Sequence, residues 1–177
     1  MEGQIVWEDI AEIGRGLGQE AHKLSGKTVL ISGGSGFLGK YLIGALCYLN
    51  DTTLAKPCRV ISVDNFITGS PHAHFNYKGR DDVLEVWGDV SQPRPVREDV
   101  NYIIHAAGLA SPVYYKKYPL ETIESAVSGI KNLLELGRKQ KNLEGFLFFS
   151  SSEIYGDPDE RAVPTPETYH GYVSSVG

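Results

Sequence analysis

The sequence predicts an α/β protein built on a doubly wound parallel sheet. Two observations carry that expectation. Short apolar runs such as KTVLIS (27–32), RVISVD (59–64) and NYIIHAA (101–107) are continuous rather than alternating, as in strands buried on both faces. Segments with helical spacing separate these runs, so strand and helix alternate along the chain. With 177 residues, 41% hydrophobic and 22% charged, the chain is long and apolar enough for one buried core.

The elements follow in order. Ile5, Val6, Ile10, Ile13, Leu17, Ala21 and Leu24 predict an amphipathic helix over 5–24, weakened by Gly14, Gly16 and Gly18. This divides the chain into an N-terminal helical extension, 1–25, and a domain, 26–177. KTVLIS is the first strand, and FLGKYLIGALCYL (37–49) the first helix of the domain. NDTTLAKPC (50–58) is a helix exit and a loop, followed by the strand RVISVD. ITGSPHAHFNYKGRDD (67–82) is a turn-rich connection, and VLEVWGD (83–89) a strand ending in an acid. After NYIIHAA comes one long helix, 119–140, with Ile123, Ala126, Val127, Ile130, Leu133, Leu134 and Gly137 on one face. GFLFFSS (145–151) is the last strand.

Several function classes are excluded early. The net charge is −5 and no basic run occurs, which argues against nucleic acid or an anionic membrane as partner. The N-terminus lacks a secretory pattern, and no apolar run approaches the ~18 residues of a spanning helix. The expected location is therefore the cytoplasm. Cys47 and Cys58 are the only cysteines; Cys47 lies in an apolar helical run, and nothing calls for a disulfide. His72 and His74 lie in a turn-rich loop without an obvious third ligand, so no metal is expected. His105 ends a buried strand and reads as a core histidine. The glycine cluster GRGLG (14–18) follows no strand, and Gln19 stands where a last glycine would be needed.

GGSGFLGK (33–40) has the right context, between the first strand and the following helix. Residues 34–40 fit G-x-x-x-x-G-K, but Tyr41 replaces the Ser or Thr of a nucleotide-triphosphate loop, and Phe37 and Leu38 are bulky. The favoured reading is G-x-x-G-x-x-G. Gly33 makes the tight turn, Gly36 lets the backbone approach a pyrophosphate, and Gly39 permits close helix–sheet packing. The helix N-terminus supplies free N–H groups for the anion. A plain glycine turn is the alternative. Asp64 ends the second strand, where a carboxylate hydrogen-bonds ribose and repels a 2′-phosphate, so NAD is expected over NADP.

GGSGFLG, VDNFITG (63–69), GDV (88–90) and SSSEIYGDP (150–158) together resemble the extended short-chain dehydrogenase/reductases, the NAD-dependent nucleotide-sugar epimerases, dehydratases and decarboxylases. The resemblance covers roughly 25–177 and implies a Rossmann-like fold. HAAGLASPVYYKKYP (105–119) and PETYHGYVSSVG (166–177) look most like segments of the UDP-glucuronate decarboxylases. The implied cofactor residues are Gly33, Gly36, Phe37, Leu38 and Gly39 of the loop, then Asp64, Asn65, Phe66, Thr68 and Gly69. Asp89 and Val90 fall at the adenine, Ala106, Ala107 and Gly108 along the cofactor, and Ser150 near the nicotinamide. Ser111, Pro112, Ser152 and Tyr155 are implied at the substrate, a UDP-sugar. Ser151 and Glu153 are the implied catalytic residues. The implied reaction oxidises sugar C4 with NAD⁺, releases CO₂ from the resulting β-keto acid, and reduces C4 again, recycling the cofactor.

The family's base is the tyrosine of Y-x-x-x-K, its pKa lowered by the lysine. None of the ten tyrosines here has a lysine four positions on. The resemblance places that tyrosine shortly beyond 166–177, so the fold is expected to lack its C-terminal strands, helices and substrate domain, and the chain alone is expected to be inactive. Ala126 and Tyr172 stand where relatives carry asparagine. Tyr114, Tyr115 and Tyr118 read equally as pocket lining or surface packing. The family dimerises through the helix equivalent to 119–140 and the tyrosine–lysine helix, so a homodimer is implied for the full-length form.

Overall fold

The computed structural model describes residues 2–68, 79–93, 96–171 and 173. Gly69, His72, His74 and Tyr172 lie outside them. Five parallel strands form one sheet: β1 (Thr28–Ser32), β2 (Arg59–Asp64), β3 (Val83–Trp87), β4 (Tyr102–His105) and β5 (Gly145–Phe148), in the order β3-β2-β1-β4-β5. In β1 and β2 nearly every residue is buried, which is why their apolar runs are unbroken.

Side chains alternate across this sheet and build two cores. Val29, Ile31 and Val60 face helix α2 (Phe37–Thr52), which contributes Ile43, Leu46, Cys47 and Leu49. Leu30, Ile61 and Ile103 face the other way, toward Leu133 of helix α5 (Ile130–Lys139). The strand order reverses between β1 and β4, whose carboxyl ends therefore open a crevice.

The N-terminal segment is two elements, not one helix over 5–24. Helix α1 (Glu2–Gly16) gives way to a 3₁₀ turn, Gly18–Leu24, where Gly18 takes φ +51°. Helix α1 docks on α2. Ile10 is fully buried against Gly44, and Gly14 lies under the Tyr48 ring, so the glycine that weakens the helix also lets it approach. Ala21 of the 3₁₀ turn joins the α2-side core.

Other boundaries differ from expectation. Helix α2 runs on to Thr52, β3 ends at Trp87, and β5 at Phe148. A short helix α3 (Pro112–Lys117) was not foreseen. The expected single helix 119–140 is α4 (Pro119–Glu124), a π turn (Ser125–Gly129) and α5. Its buried face is also different. Gly129, Leu133 and Gly137 point inward, while Ile123, Val127 and Leu134 are exposed. Two of these inward positions are glycines because the backbone passes close to its neighbours: a Cβ on Gly129 would stand 2.9 Å from Val90. Cys47 and Cys58 are free and buried, and burial pushes their thiols up to about 12 and about 11.

Candidate functional site

The crevice is built from the loops that leave β1, β2, β3 and β4. At Gly33, φ is +75° and a Cβ would meet the Ala106–Ala107 backbone at 2.7 Å. At Gly39 a Cβ would stand 2.2 Å from the Gly33 carbonyl oxygen. These two glycines hold the loop closed on itself and on the end of β4. Gly36 is different: a Cβ there meets only that same oxygen, at 3.2 Å. It is the N-cap of α2 and offers no capping side chain. The first N–H groups of α2 are thus left for an anion.

Asp64 ties the second loop to the first. One carboxylate oxygen accepts from the Ser35 N–H at 2.9 Å and the other from the Phe66 N–H at 2.8 Å. Phe66 holds φ +56°, a left-handed conformation that turns the chain behind Asp64. Asn65 accepts from the Ile67 N–H at 3.1 Å and donates to Asp89 at 3.1 Å. The other Asp89 oxygen accepts from the Ser91 N–H at 2.8 Å. Burial raises the Asp89 pKa, but the bonds from Ser91 and Asn65 outweigh it and leave a net lowering. Asp89 is thus held in place and kept ionised at the edge of the crevice.

Gly33, Gly36, Asp64, Asn65, Thr68, Asp89, Val90, Ala106, Ala107 and Gly108 come together as its lining. Phe37 and Leu38 are in the first turn of α2 with exposed side chains, and Gly39 is buried behind the loop. Ser150, Ser151, Ser152 and Glu153 are exposed beyond β5, outside the crevice lining. Ser151 caps a 3₁₀ turn (Ser152–Tyr155) by accepting from the Glu153 N–H at 3.2 Å. Ser111 stands at the N-cap position of α3 without a capping side-chain hydrogen bond, Pro112 is the first helical residue, and Tyr155 is half-buried. Tyr114, Tyr115 and Tyr118 are not among the lining residues.

Sequence reasoning missed Glu121, Glu124 and Ser125, which line the crevice from α4 and the π turn. It also missed Asn132, whose amide donates to the Val90 and Ser91 carbonyls at 2.9 and 2.8 Å and so anchors the Asp89 loop. The Asn132 signal is a polar residue beside the apolar face of an otherwise amphipathic helix. Tyr41, which spoiled the triphosphate reading, turns from the loop toward α1 and donates to Asp9 at 3.3 Å. Among the described residues no group of His, Cys, Asp or Glu is placed to hold a metal, and no helix is long and apolar enough to cross a membrane.

This geometry suits a dinucleotide: a glycine cradle that tolerates no Cβ at two of its three positions, free helix N–H groups, and a carboxylate at the end of β2. Comparison with known proteins agrees. Residues 29–173 match the model of the NAD dependent epimerase/dehydratase family. The chain is 37% identical over 155 residues to UDP-glucuronic acid decarboxylase 2 of Arabidopsis thaliana, an alignment covering 88% of this chain and 32% of that protein. It thus spans about a third of the length of this relative. Among solved structures, it resembles the epimerase Mth375 of Methanothermobacter thermautotrophicus (25% identity, TM-score 0.65, 77% of this chain and 39% of that one). It also resembles the UDP-glucose 4-epimerase of Bifidobacterium longum in complex with NAD⁺ and UDP (27% identity, TM-score 0.57, 76% and 40%). The chain belongs to the NAD dependent epimerase/dehydratase family, its fold is the Rossmann-like parallel sheet, and its cofactor is NAD.

Proposed function

We propose that this chain is the NAD-binding part of a nucleotide-sugar-modifying enzyme of the UDP-glucuronate decarboxylase type. The observation that carries the reading is the crevice between β1 and β4, with its glycine cradle and Asp64, in a chain 37% identical to a UDP-glucuronic acid decarboxylase. The chemistry NAD supplies when bound is reversible hydride transfer at a sugar carbon.

The residues divide the work. The α2 N-terminus and Gly36 receive the pyrophosphate, and Asp64 and Asn65 the adenosine ribose. Asp89 and Val90 border the adenine. Ala106, Ala107 and Gly108 support the rest of the cofactor along the end of β4, toward Ser150. Ser151 would hydrogen-bond the oxygen on sugar C4, Glu153 would orient the substrate or handle a proton, and Ser111, Pro112, Ser152 and Tyr155 would border the UDP-sugar. Ser151 and Glu153 are exposed and no tyrosine here has a lysine four positions on. This chain alone therefore lacks the base, and turnover requires further polypeptide.

Two other readings rest on particular observations. The resemblance to a UDP-glucose 4-epimerase favours 4-epimerisation on the same site. The missing tyrosine–lysine pair favours an NAD(H)-binding module that acts through a partner chain. The test is incubation of the purified chain with UDP-glucuronate and NAD⁺, with nucleotide sugars resolved by mass. No UDP-xylose is expected from the chain alone. Conversion would contradict the role of the missing base. The same mixture run with UDP-glucose detects epimerisation.

A further inference from the structure

Beneath the crevice lies a buried polar pair that the cofactor contacts do not include. Ser32 ends β1 and His105 ends β4, paired in register across the sheet. Both are almost fully buried, at 0% and 1% exposure. Ser32 Oγ lies 2.7 Å from His105 Nδ1. The same Oγ accepts from the Ala107 N–H at 3.4 Å, and the Ser32 carbonyl accepts from the Ala106 N–H at 3.1 Å.

These contacts decide the tautomer. The Ser32 hydroxyl carries one hydrogen, and Nδ1 is the one acceptor within its reach among the described residues. If Nδ1 carried the proton, the buried hydroxyl hydrogen would be left without an acceptor, at a cost comparable to a lost hydrogen bond. Nδ1 therefore accepts and Nε2 carries the hydrogen. Nε2 is itself buried without a hydrogen-bond partner among the described residues. Burial lowers the basicity of the ring, against a smaller opposing effect of the Ser125 backbone. Ser125 opens the π turn. Gly129, at the other end of that turn, passes close to the His105 ring and to Val90.

We infer that His105, held by Ser32 as the Nε2–H tautomer, is a positioning residue for the cofactor crevice. One side of the ring sets the height of Ala106 and Ala107 through the Ser32 hydroxyl. The other lies against Gly129, in the π turn that Ser125 opens, and supports the wall formed by Glu121, Glu124 and Ser125. The inference rests on the reading that this crevice binds NAD.

Three variants test it: His105→Phe, His105→Gln and Ser32→Ala. NADH affinity is read by fluorescence titration, and the ring tautomer by ¹⁵N NMR of the unliganded chain, with His105 assigned by its loss in His105→Phe. Phenylalanine keeps the volume but loses both polar atoms, and is expected to weaken NADH about tenfold. Glutamine keeps an amide acceptor for the Ser32 hydroxyl, and is expected to recover to within about threefold of wild type. Ser32→Ala, a smaller change that guards against misfolding of the phenylalanine variant, is expected to weaken NADH about fivefold and to shift the tautomer. Wild-type affinity in both His105→Phe and Ser32→Ala would overturn the inference, as would glutamine binding as weakly as phenylalanine or an Nδ1–H tautomer in the wild type. A wild-type chain that fails to bind NADH would instead strike the reading of the crevice, while the tautomer measurement stands apart from it.

Discussion

Gly36 and Gly39 stand three residues apart, at the N-cap and in the first turn of α2, and do opposite things. A methyl on Gly39 collides with loop backbone, which cannot yield as a side chain can. Gly39→Ala should therefore cost at least about 2 kcal/mol of stability in urea denaturation. A methyl on Gly36 meets only one oxygen at 3.2 Å, so Gly36→Ala should cost less than about 1 kcal/mol. Yet it occupies the approach of the pyrophosphate and should weaken NADH more than about tenfold. Equal effects of the two changes on both readouts would refute this division. The glycine spacing was legible in the sequence because backbone conformation demands it locally. Asp64 was legible because a strand end is a local position. The burial of His105 was legible too, but its pairing with Ser32 and the anchoring by Asn132 were not, because the partners lie 73 and about 42 residues away and only the folded sheet brings them together.

Among the elements, the strands were read well because burial on both faces leaves an unbroken apolar run. The helix 119–140 was read badly because two of its three buried positions are glycines and much of its apolar stripe faces outward. Apolar periodicity locates a helix but not which surface the sheet takes. Helix α1 has a definite structural role in its contact with α2. Truncating its fully buried Ile10 to alanine should cost about 2–4 kcal/mol, measured by chemical denaturation. A second junction is electrostatic. Arg80 pairs with Asp82 at 2.7 Å and with Asp51 at 2.8 Å, and Asn50 donates to Asp82 at 2.7 Å, joining the end of α2 to the start of β3. Arg80 holds the Asp82 carboxyl below its ordinary value of 3.8. A lowered pKa gives stability that is complete above the unfolded value and lost as pH falls through the folded one. The contribution should thus persist at pH 5, begin to fall near the unfolded value of about 4 and be lost only below the folded value. Arg80→Ala should lower stability by about 1–2 kcal/mol at pH 7 and leave a smaller difference from wild type in strong acid. An unchanged difference across that range would argue against it.

For the whole molecule, an exposed apolar stripe of Leu120, Ile123, Val127 and Leu134 runs along one side. Leu147, Phe148 and Phe149 add exposed apolar surface at and beyond the β5 edge strand. Such surface favours association. The purified chain should sediment as more than a monomer at micromolar concentration, and Val127→Lys should shift it toward the monomer. A wild-type chain that stays monomeric would contradict this. The central claim concerns what the β1–β4 crevice holds, and it is tested most directly by titrating the purified wild-type chain with NADH and NADPH in parallel by calorimetry. The account predicts saturable binding of one NADH per chain, with NADPH weaker by at least about tenfold because Asp64 meets its 2′-phosphate. No binding of NADH, or equal binding of the two, would contradict it.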